Sequence, residues 1–243
     1  MKRPPDGREM ESGGSMGTVL VVDGSDVCRA PIVVHTLRER FARAAELAGL
    51  EVLSRGLTAE PGATMCESAS SRMGWSGSSI AFFGAHRATP LTVADIAEAD
   101  LVLTAERQQR SAVVRMLPGT QAAVFTWKEA LVLATVLTDR IRHGVADAPA
   151  DAAGLARALH AARGTVPLIE PPVRTGVLHW RRAPVADPIT VADGHGGPAQ
   201  HSRVTQEALE VAERLGDRLA GLGDGVRHLV PGTRVHGRRR LRA

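Results

Sequence analysis

Short apolar runs alternate along the chain with longer segments in which apolar residues recur at helical spacing. The short runs are TVLVVD, EVLSRG, DLVLTA and AAVFT, which begin at Thr18, Glu51, Asp100 and Ala122. A short, nearly continuous apolar run such as TVLVVD is typical of a parallel strand that is buried on both faces. The four runs therefore predict four strands.

The segments between and after these strands predict helices. They cover residues 31–48, 65–73, 92–99, 106–117, 128–143, 151–162 and 203–222. Pro31 suits the first turn of a helix, Gly49 suits the residue after its end, and Thr92 with Asp95 resembles a capping box. Strands that alternate with helices imply right-handed crossovers, so the pattern favours an α/β fold with one mostly parallel sheet.

Composition refines this organisation. The 243 residues are 44% hydrophobic but only 3% aromatic, with no Tyr, so Val, Leu, Ile and Ala must fill the core. We expect one domain over residues 17–222, between a disordered N-terminal tail at 1–16 and a basic C-terminal tail at 223–243. In the C-terminal run HGRRRLRA no aromatic residues lie among the arginines, so we expect a solvated terminus and no nucleic-acid partner.

Several classes of protein are disfavoured. The apolar run at 130–137 is far below the ~20 residues that cross a bilayer, and residues 1–16 lack the apolar core of a signal peptide. Cys28 and Cys66 have neither CxxC nor zinc-ligand spacing, and His195 and His201 lack a third ligand at a convincing spacing. We therefore expect a cytoplasmic protein without membrane association, disulfides, metal or cofactor, with solvated histidines.

The loop from Asp23 to Ala30 is the candidate binding site. It follows the first strand and leads into a helix, where backbone N–H groups and the helix dipole favour an anion. The guanidinium of Arg29 can hold two phosphate oxygens, or it can pair with Asp26 or a more distant carboxylate as part of the scaffold. However, Asp23 and Asp26 place negative charge in this anion-binding setting.

The sequence DGSDVCRAP resembles the phosphate loop of the low-molecular-weight protein tyrosine phosphatases, which reads Cys, five residues, Arg, Ser or Thr, and Pro. The matching residues are Cys28, Arg29 and Pro31. Asp23 stands where that family has its nucleophilic Cys, Asp26 where Asn is usual, and Ala30 where a hydroxyl is usual.

Later segments resemble the same family in the same order, from about residue 18 to residue 222. They are SRG at Ser54, AHRATPLT at Ala85, ADLVLTAERQQR at Ala99, FTWKEA at Phe125 and VADP at Val185. The resemblance implies a four-stranded parallel sheet with helices on both faces, a three-layer sandwich.

The resemblance also implies a chemistry, in which a thiolate attacks phosphorus, Arg and loop amides stabilise the oxygens, and an Asp protonates the leaving phenolate. Asp187 would be that acid, and Arg29 a second catalytic residue. The implied phosphate-binding residues are Gly24, Ser25, Asp26, Val27, Cys28, Arg29 and Ala30. The nucleophile does not carry over, because Asp23 replaces it and Cys28, beside Arg29, is expected to be an inert packed thiol.

Electrostatics decides what Asp23 does. A carboxylate ~4 Å from a phosphate charge is repelled by about 4 kcal/mol at an effective dielectric of 20. We expect the Asp23 carboxylate to take the loop N–H groups for itself. The competing possibility is a protonated Asp23 that tolerates phosphate, which Arg29 would oppose.

The leading interpretation is a phosphatase-like protein that has lost catalysis and acts as a binding or regulatory module for a phosphorylated or other protein partner. The alternative is an active phosphomonoesterase with weak or unconventional chemistry. A magnesium-dependent hydrolase with an Asp nucleophile and a different fold is disfavoured, because no DxD motif follows the first strand. Ile189 replaces the aromatic residue that the family usually has after Asp-Pro, and we expect Trp75, Trp127 and Trp180 to be packing residues.

Overall fold

The computed structural model describes residues 17–44, 47–73, 77–166, 187–194 and 197–227. The strands are β1 (Thr18–Asp23), β2 (Glu51–Gly56), β3 (Leu101–Thr104) and β4 (Val124–Thr126). The helices are α1 (Arg29–Phe41), α2 (Glu67–Arg72), α3 (Gly77–Ala85), α4 (Val93–Glu98), α5 (Arg107–Met116), α6 (Trp127–Arg142), α7 (Ala152–Arg163) and α8 (Pro198–Arg227), with a 3₁₀ turn at Thr120–Ala122.

The four strands form one parallel sheet in the order β2-β1-β3-β4. Val21 of β1 lies opposite Ser54 of β2 and Leu103 of β3, so β1 is central and its last residue, Asp23, lies opposite Gly56 at the end of β2. Because the strands are parallel, their carboxyl ends share one edge, where the loop after β1 lies. The predicted parallel α/β sheet is confirmed.

The sheet is covered on both faces, as predicted. Val19 and Val21 belong to a core cluster with residues of α1, α6, α7 and α8, whereas Leu20 and Val22 pack with Ile96 of α4 and Val113 of α5. Successive residues of a strand point to opposite faces, so β1 contributes to both core layers. The result is a three-layer sandwich.

The main difference from the predicted elements is the end of α1. We expected the helix to continue to residue 48, but it ends at Phe41. Leu47 and Leu50 lie beyond it, are nearly buried and pack on the core before β2 begins. The chain must turn back within a few residues to align β2 beside β1. This tertiary requirement ends the helix early, although apolar residues continue at helical spacing to residue 48.

Other elements also differ from their predicted bounds. Helix α3 was not predicted, because its sequence GSSIAFFGA lacks a helical apolar pattern, and Ser79 is its buried residue. Helix α8 begins at Pro198 and continues past Leu222 to Arg227, so it extends into the predicted basic tail. The N-terminal tail at 1–16 and the rest of the C-terminal tail lie outside the described residues.

Two local predictions are confirmed. Thr92 and Asp95 form a capping box, in which the Asp95 N–H donates to Thr92 Oγ1 over 3.1 Å and the Thr92 N–H donates to Asp95 Oδ2 over 2.8 Å. Trp127 is a packing residue, fully buried, and its Nε1 donates to the Leu103 carbonyl. Within the described ranges, no helix combines the length and apolar character needed to cross a membrane.

Candidate active site: an occupied anion loop

Asp23 is the last residue of β1, and its side chain points into the loop that follows. It is 1% exposed. The Asp26 N–H donates to Asp23 Oδ1 over 2.6 Å, and the Ala30 N–H donates to Asp23 Oδ2 over 3.2 Å. The carboxylate therefore accepts hydrogen bonds from the middle and from the far end of the loop, as the sequence predicted.

Arg29 begins α1 and is also buried, at 3% exposed. Its Nη1 donates to Glu106 Oε1 and to the Val191 carbonyl, each over 2.7 Å, and its Nε lies 3.7 Å from Asp23 Oδ2. Of the two alternatives drawn from the sequence, the structure shows the guanidinium paired with a distant carboxylate. Arg29 thus links the loop to the end of β3 and to the 187–191 segment.

Asp187 lies on that segment and is held by Arg107, the first residue of α5. Arg107 Nε donates to Asp187 Oδ2 over 2.9 Å, and Nη2 donates to Oδ1 over 3.3 Å. The Arg107 hydrogen bonds lower the pKa of Asp187 below its usual value, with help from the Ile189 N–H. A general acid must carry a proton near the working pH, so this pairing opposes the role that the resemblance implies for Asp187.

Asp26 shapes the middle of the loop. Its φ of 55° lies in the left-handed region, which Asp and Asn adopt more readily than most residues. The Thr89 N–H donates to Asp26 Oδ2 over 3.0 Å, and His86 Nε2 lies 2.7 Å from the Asp26 carbonyl oxygen. These contacts hold the middle of the loop to the segment that contains His86 and Thr89. Burial raises the pKa of Asp26 to about 6.

Gly56, at the end of β2, lies against the back of the loop. A Cβ atom there would lie 2.8 Å from the Gly24 carbonyl oxygen and 2.9 Å from the Ser25 carbonyl carbon. The Thr58 N–H donates to the Gly24 carbonyl over 2.7 Å, and the Cys66 N–H donates to the Val27 carbonyl over 2.8 Å. The loop is thus held by the backbone along its length.

No protein-family model matches this chain, and no curated protein matches it in sequence. Among solved structures, the tyrosine phosphatase Wzb from Escherichia coli K30, in complex with sulphate, aligns at 17% identity over 84% of this chain and 98% of that chain, with a TM-score of 0.50.

The tyrosine phosphatase AmsI of Erwinia amylovora aligns at 18% identity over 85% of this chain and 95% of that one, with a TM-score of 0.49. A low-molecular-weight protein tyrosine phosphatase from Bacillus subtilis aligns at 17% over 83% and 96%, with a TM-score of 0.48. The Wzb alignment, together with the four-stranded parallel sheet, shows that this chain has the fold of that tyrosine phosphatase. The resemblance found in the sequence is confirmed for the fold.

Within this phosphatase fold, the structure brings together the three predicted catalytic positions. Asp23 contacts Arg29, Arg29 contacts Glu106, and the adjacent Arg107 holds Asp187. Ile189 is only 3% exposed, so it presents no side-chain surface beside Asp187 that a substrate ring could contact. Trp75 and Trp180, named from the sequence as packing residues, lie outside the described residues, as does His195.

The expectation of a solvated His201 is wrong. Its Nε2 lies 3.2 Å from Cys28 Sγ and 3.4 Å from Cys66 Sγ, and the two sulfurs are 2.7 Å apart. Cys28 is buried, as expected of a packed thiol, and lies among Ile32, Met65 and Ala69. Its hydrogen bond to Cys66 raises the pKa of Cys28, and the same bond lowers the pKa of Cys66 to about 6.

Sequence reasoning missed several residues of the site. Glu106 and Arg107 lie two and three residues after the end of β3, at the same sheet edge as the loop, so their position after a predicted strand was a usable signal. Cys66 and His201 gave none, because they lie 38 and 173 residues from Cys28 and only the tertiary fold brings them together.

Proposed function

We propose that this protein is a catalytically silent form of the phosphatase fold, which acts as a binding or regulatory module for a protein partner. One observation carries the proposal: the Asp23 carboxylate accepts two N–H groups of the loop in which a phosphoryl group would have to sit. A built-in anion satisfies this set of donors without a ligand.

The state of Arg29 supports the same conclusion. Its guanidinium is buried and already bonded to Glu106 and Val191. These bonds use Nη1 alone, so a phosphate could be clasped only by Nε and Nη2. Nε lies 3.7 Å from Asp23 Oδ2, and a phosphate on that edge would therefore meet the Asp23 carboxylate, with Glu106 also close to the guanidinium. Like charges at such distances repel, which opposes phosphate binding.

The groups that would carry out the displacement also support a silent site. A carboxylate replaces the thiolate, and like charge repels it from a phosphoryl group. The Arg107 pair keeps Asp187 in its ionised form, which cannot protonate a leaving phenolate. A protein partner would therefore bind to the surface of the fold, and no phosphoryl group would be transferred in the loop.

The test is hydrolysis of an aryl phosphate by the parent chain and by Asp23→Cys. We expect no turnover above background from the parent. Activity that appears in Asp23→Cys, and is lost again in Asp23→Cys/Arg29→Ala, would show that one substitution silenced an intact scaffold. If Asp23→Cys is also silent, Ala30, Asp26 and Ile189 have removed further parts of the site.

The opposite outcome is equally specific. Turnover by the parent that disappears in both Arg29→Ala and Asp187→Asn would establish the alternative, an active phosphomonoesterase with an unconventional nucleophile. Asp139→Asn, on the exposed side of α6, is the matched control for Asp187→Asn, because it removes the same charge away from the loop.

A further inference from the structure

Three side chains from separate parts of the chain converge beside the loop. Cys28 is the last loop residue before α1, Cys66 precedes α2, and His201 lies in the first turns of α8. Their Sγ, Sγ and Nε2 atoms all lie within 4.8 Å of one another. Each of these atoms is a metal ligand, and two thiolates with an imidazole match the preferences of thiophilic ions.

We propose that Cys28, Cys66 and His201 form a zinc site, with three protein ligands and a fourth position open to water. This inference does not depend on the proposed function. Zn²⁺ binding would form two Zn–S bonds and one Zn–N bond, and the thiol protons would pass to solvent. Two thiolates and a neutral imidazole then balance the charge of the ion.

The distances fit a site that opens slightly around the ion. Zn–S bonds of ~2.3 Å and Zn–N bonds of ~2.0–2.1 Å in a tetrahedral arrangement place S and N about 3.5 Å apart and the two sulfurs about 3.8 Å apart. The S···N distances here are already 3.2 and 3.4 Å. The sulfurs, at 2.7 Å, must separate by about 1 Å, which requires a rotation of the half-buried Cys66 side chain.

The surroundings give the ion one closed side and one accessible side. Cys28 is buried against Ile32, Met65 and Ala69, whereas Cys66 and His201 are partly exposed. An ion can therefore enter from the solvent side and rest against an apolar wall. Because Cys28 precedes Arg29, the bound ion would fix the end of the loop to α8 and to the segment before α2.

The experiment uses the full chain, purified under reducing conditions and supplied with Zn²⁺. Zinc content after dialysis is measured by mass spectrometry of the metal, and affinity by competition with a chromophoric chelator. We expect about one zinc per chain, and roughly tenfold or greater weakening in Cys66→Ser and in His201→Asn. Both variants change partly exposed residues, and His160→Asn, an exposed histidine on α7, is the matched control.

Co²⁺ gives a second measurement, because a thiolate-to-cobalt charge-transfer absorption appears only when sulfur binds the metal. Its loss in Cys66→Ser, with an unchanged far-ultraviolet circular dichroism spectrum, would support the site without reference to activity. Zinc binding that is equal in the parent, Cys66→Ser and His201→Asn would overturn the proposal, since the ion would then lie elsewhere.

Alkylation separates the remaining outcomes. A second preparation of the chain, purified without reductant, is denatured, treated with a chelator and iodoacetamide, and weighed intact. If no zinc is retained and both thiols are alkylated, Cys28 and Cys66 are a hydrogen-bonded thiol pair and the proposal fails. If alkylation requires prior reduction, the two sulfurs form a disulfide, and the proposal fails as well.

Discussion

Replacing Asp23 with Asn tests whether charge, and not shape, keeps oxyanions out of the loop. The two side chains have nearly the same size, and the Asn oxygen can still accept from the Asp26 N–H that now donates to Asp23 over 2.6 Å. The Asn Nδ2 cannot accept from the Ala30 N–H, so that donor becomes available to an anion. What is lost is the negative charge that lies 3.7 Å from Arg29 Nε. The variant therefore leaves the loop donors in place and removes the internal anion.

The structure sets the size of the effect. An anion that uses the N–H groups now bonded to Asp23 would approach its carboxylate to ~4 Å, where two unit charges repel by about 4 kcal/mol at an effective dielectric of 20. Because about 1.4 kcal/mol corresponds to tenfold in affinity, the upper limit for Asp23→Asn is about a thousandfold gain. Screening by solvent reduces this gain, so we expect an increase between about tenfold and a thousandfold.

Phosphate and vanadate titrations followed by calorimetry and by thermal stability measure this gain, because a ligand that binds the folded state raises its stability. Asp139→Asn removes an exposed charge of the same kind from α6 and should leave phosphate affinity unchanged. A parent chain that binds phosphate as tightly as Asp23→Asn, within about twofold, would refute the electrostatic reasoning.

Two further predictions concern the residues that hold the loop. In the folded state burial raises the pKa of Asp26 from 3.8 to about 6, so the ionised form is disfavoured and stability falls as the pH rises through this interval. Asp26→Asn should remove that dependence and raise the unfolding free energy by at most about 3 kcal/mol at pH ~7. Urea denaturation at a series of pH values measures both effects. If the unfolding free energy of the parent does not change over this pH interval, the prediction is contradicted. Gly56→Ala places a Cβ 2.8 Å from the Gly24 carbonyl oxygen and should cost about 1–3 kcal/mol in the same assay, whereas Gly84→Ala, with open space at its Cβ, should not destabilise. Equal effects of the two glycine variants would show that the close approach at Gly56 is not what holds the loop.

The sequence predicted what depends on local pattern. The run TVLVVD indicated β1 because buried parallel strands are continuously apolar, and the position of Asp23 at its end placed the site. The fate of the Asp23 carboxylate also followed, since N–H groups at a helix start need an acceptor. The role of Glu106 could be predicted only in part. Its position after a strand is visible in the sequence, but its hydrogen bond to Arg29 depends on how β3 lies beside β1.

The contacts that the sequence did not predict depend on long-range geometry. The end of α1 at Phe41 is set by the need to bring β2 beside β1, which no local spacing records. Cys28, Cys66 and His201 meet only because α8 packs across α1 and α2. For metal and thiol clusters of this kind, sequence spacing is informative only when the ligands share one loop or helix.

The occupied loop bears on how such folds should be interpreted. A loop of converging N–H groups with a left-handed residue at its centre looks like a site that is built to hold phosphate, and Asp26 has that conformation here. However, such donors need an acceptor whether or not a ligand is present, because buried N–H groups without partners are costly. In the structure Asp23 accepts from two of these donors, and under the proposed function it takes the place of a substrate anion. The geometry of the loop is therefore evidence for an anion, and in this protein the anion belongs to the chain itself.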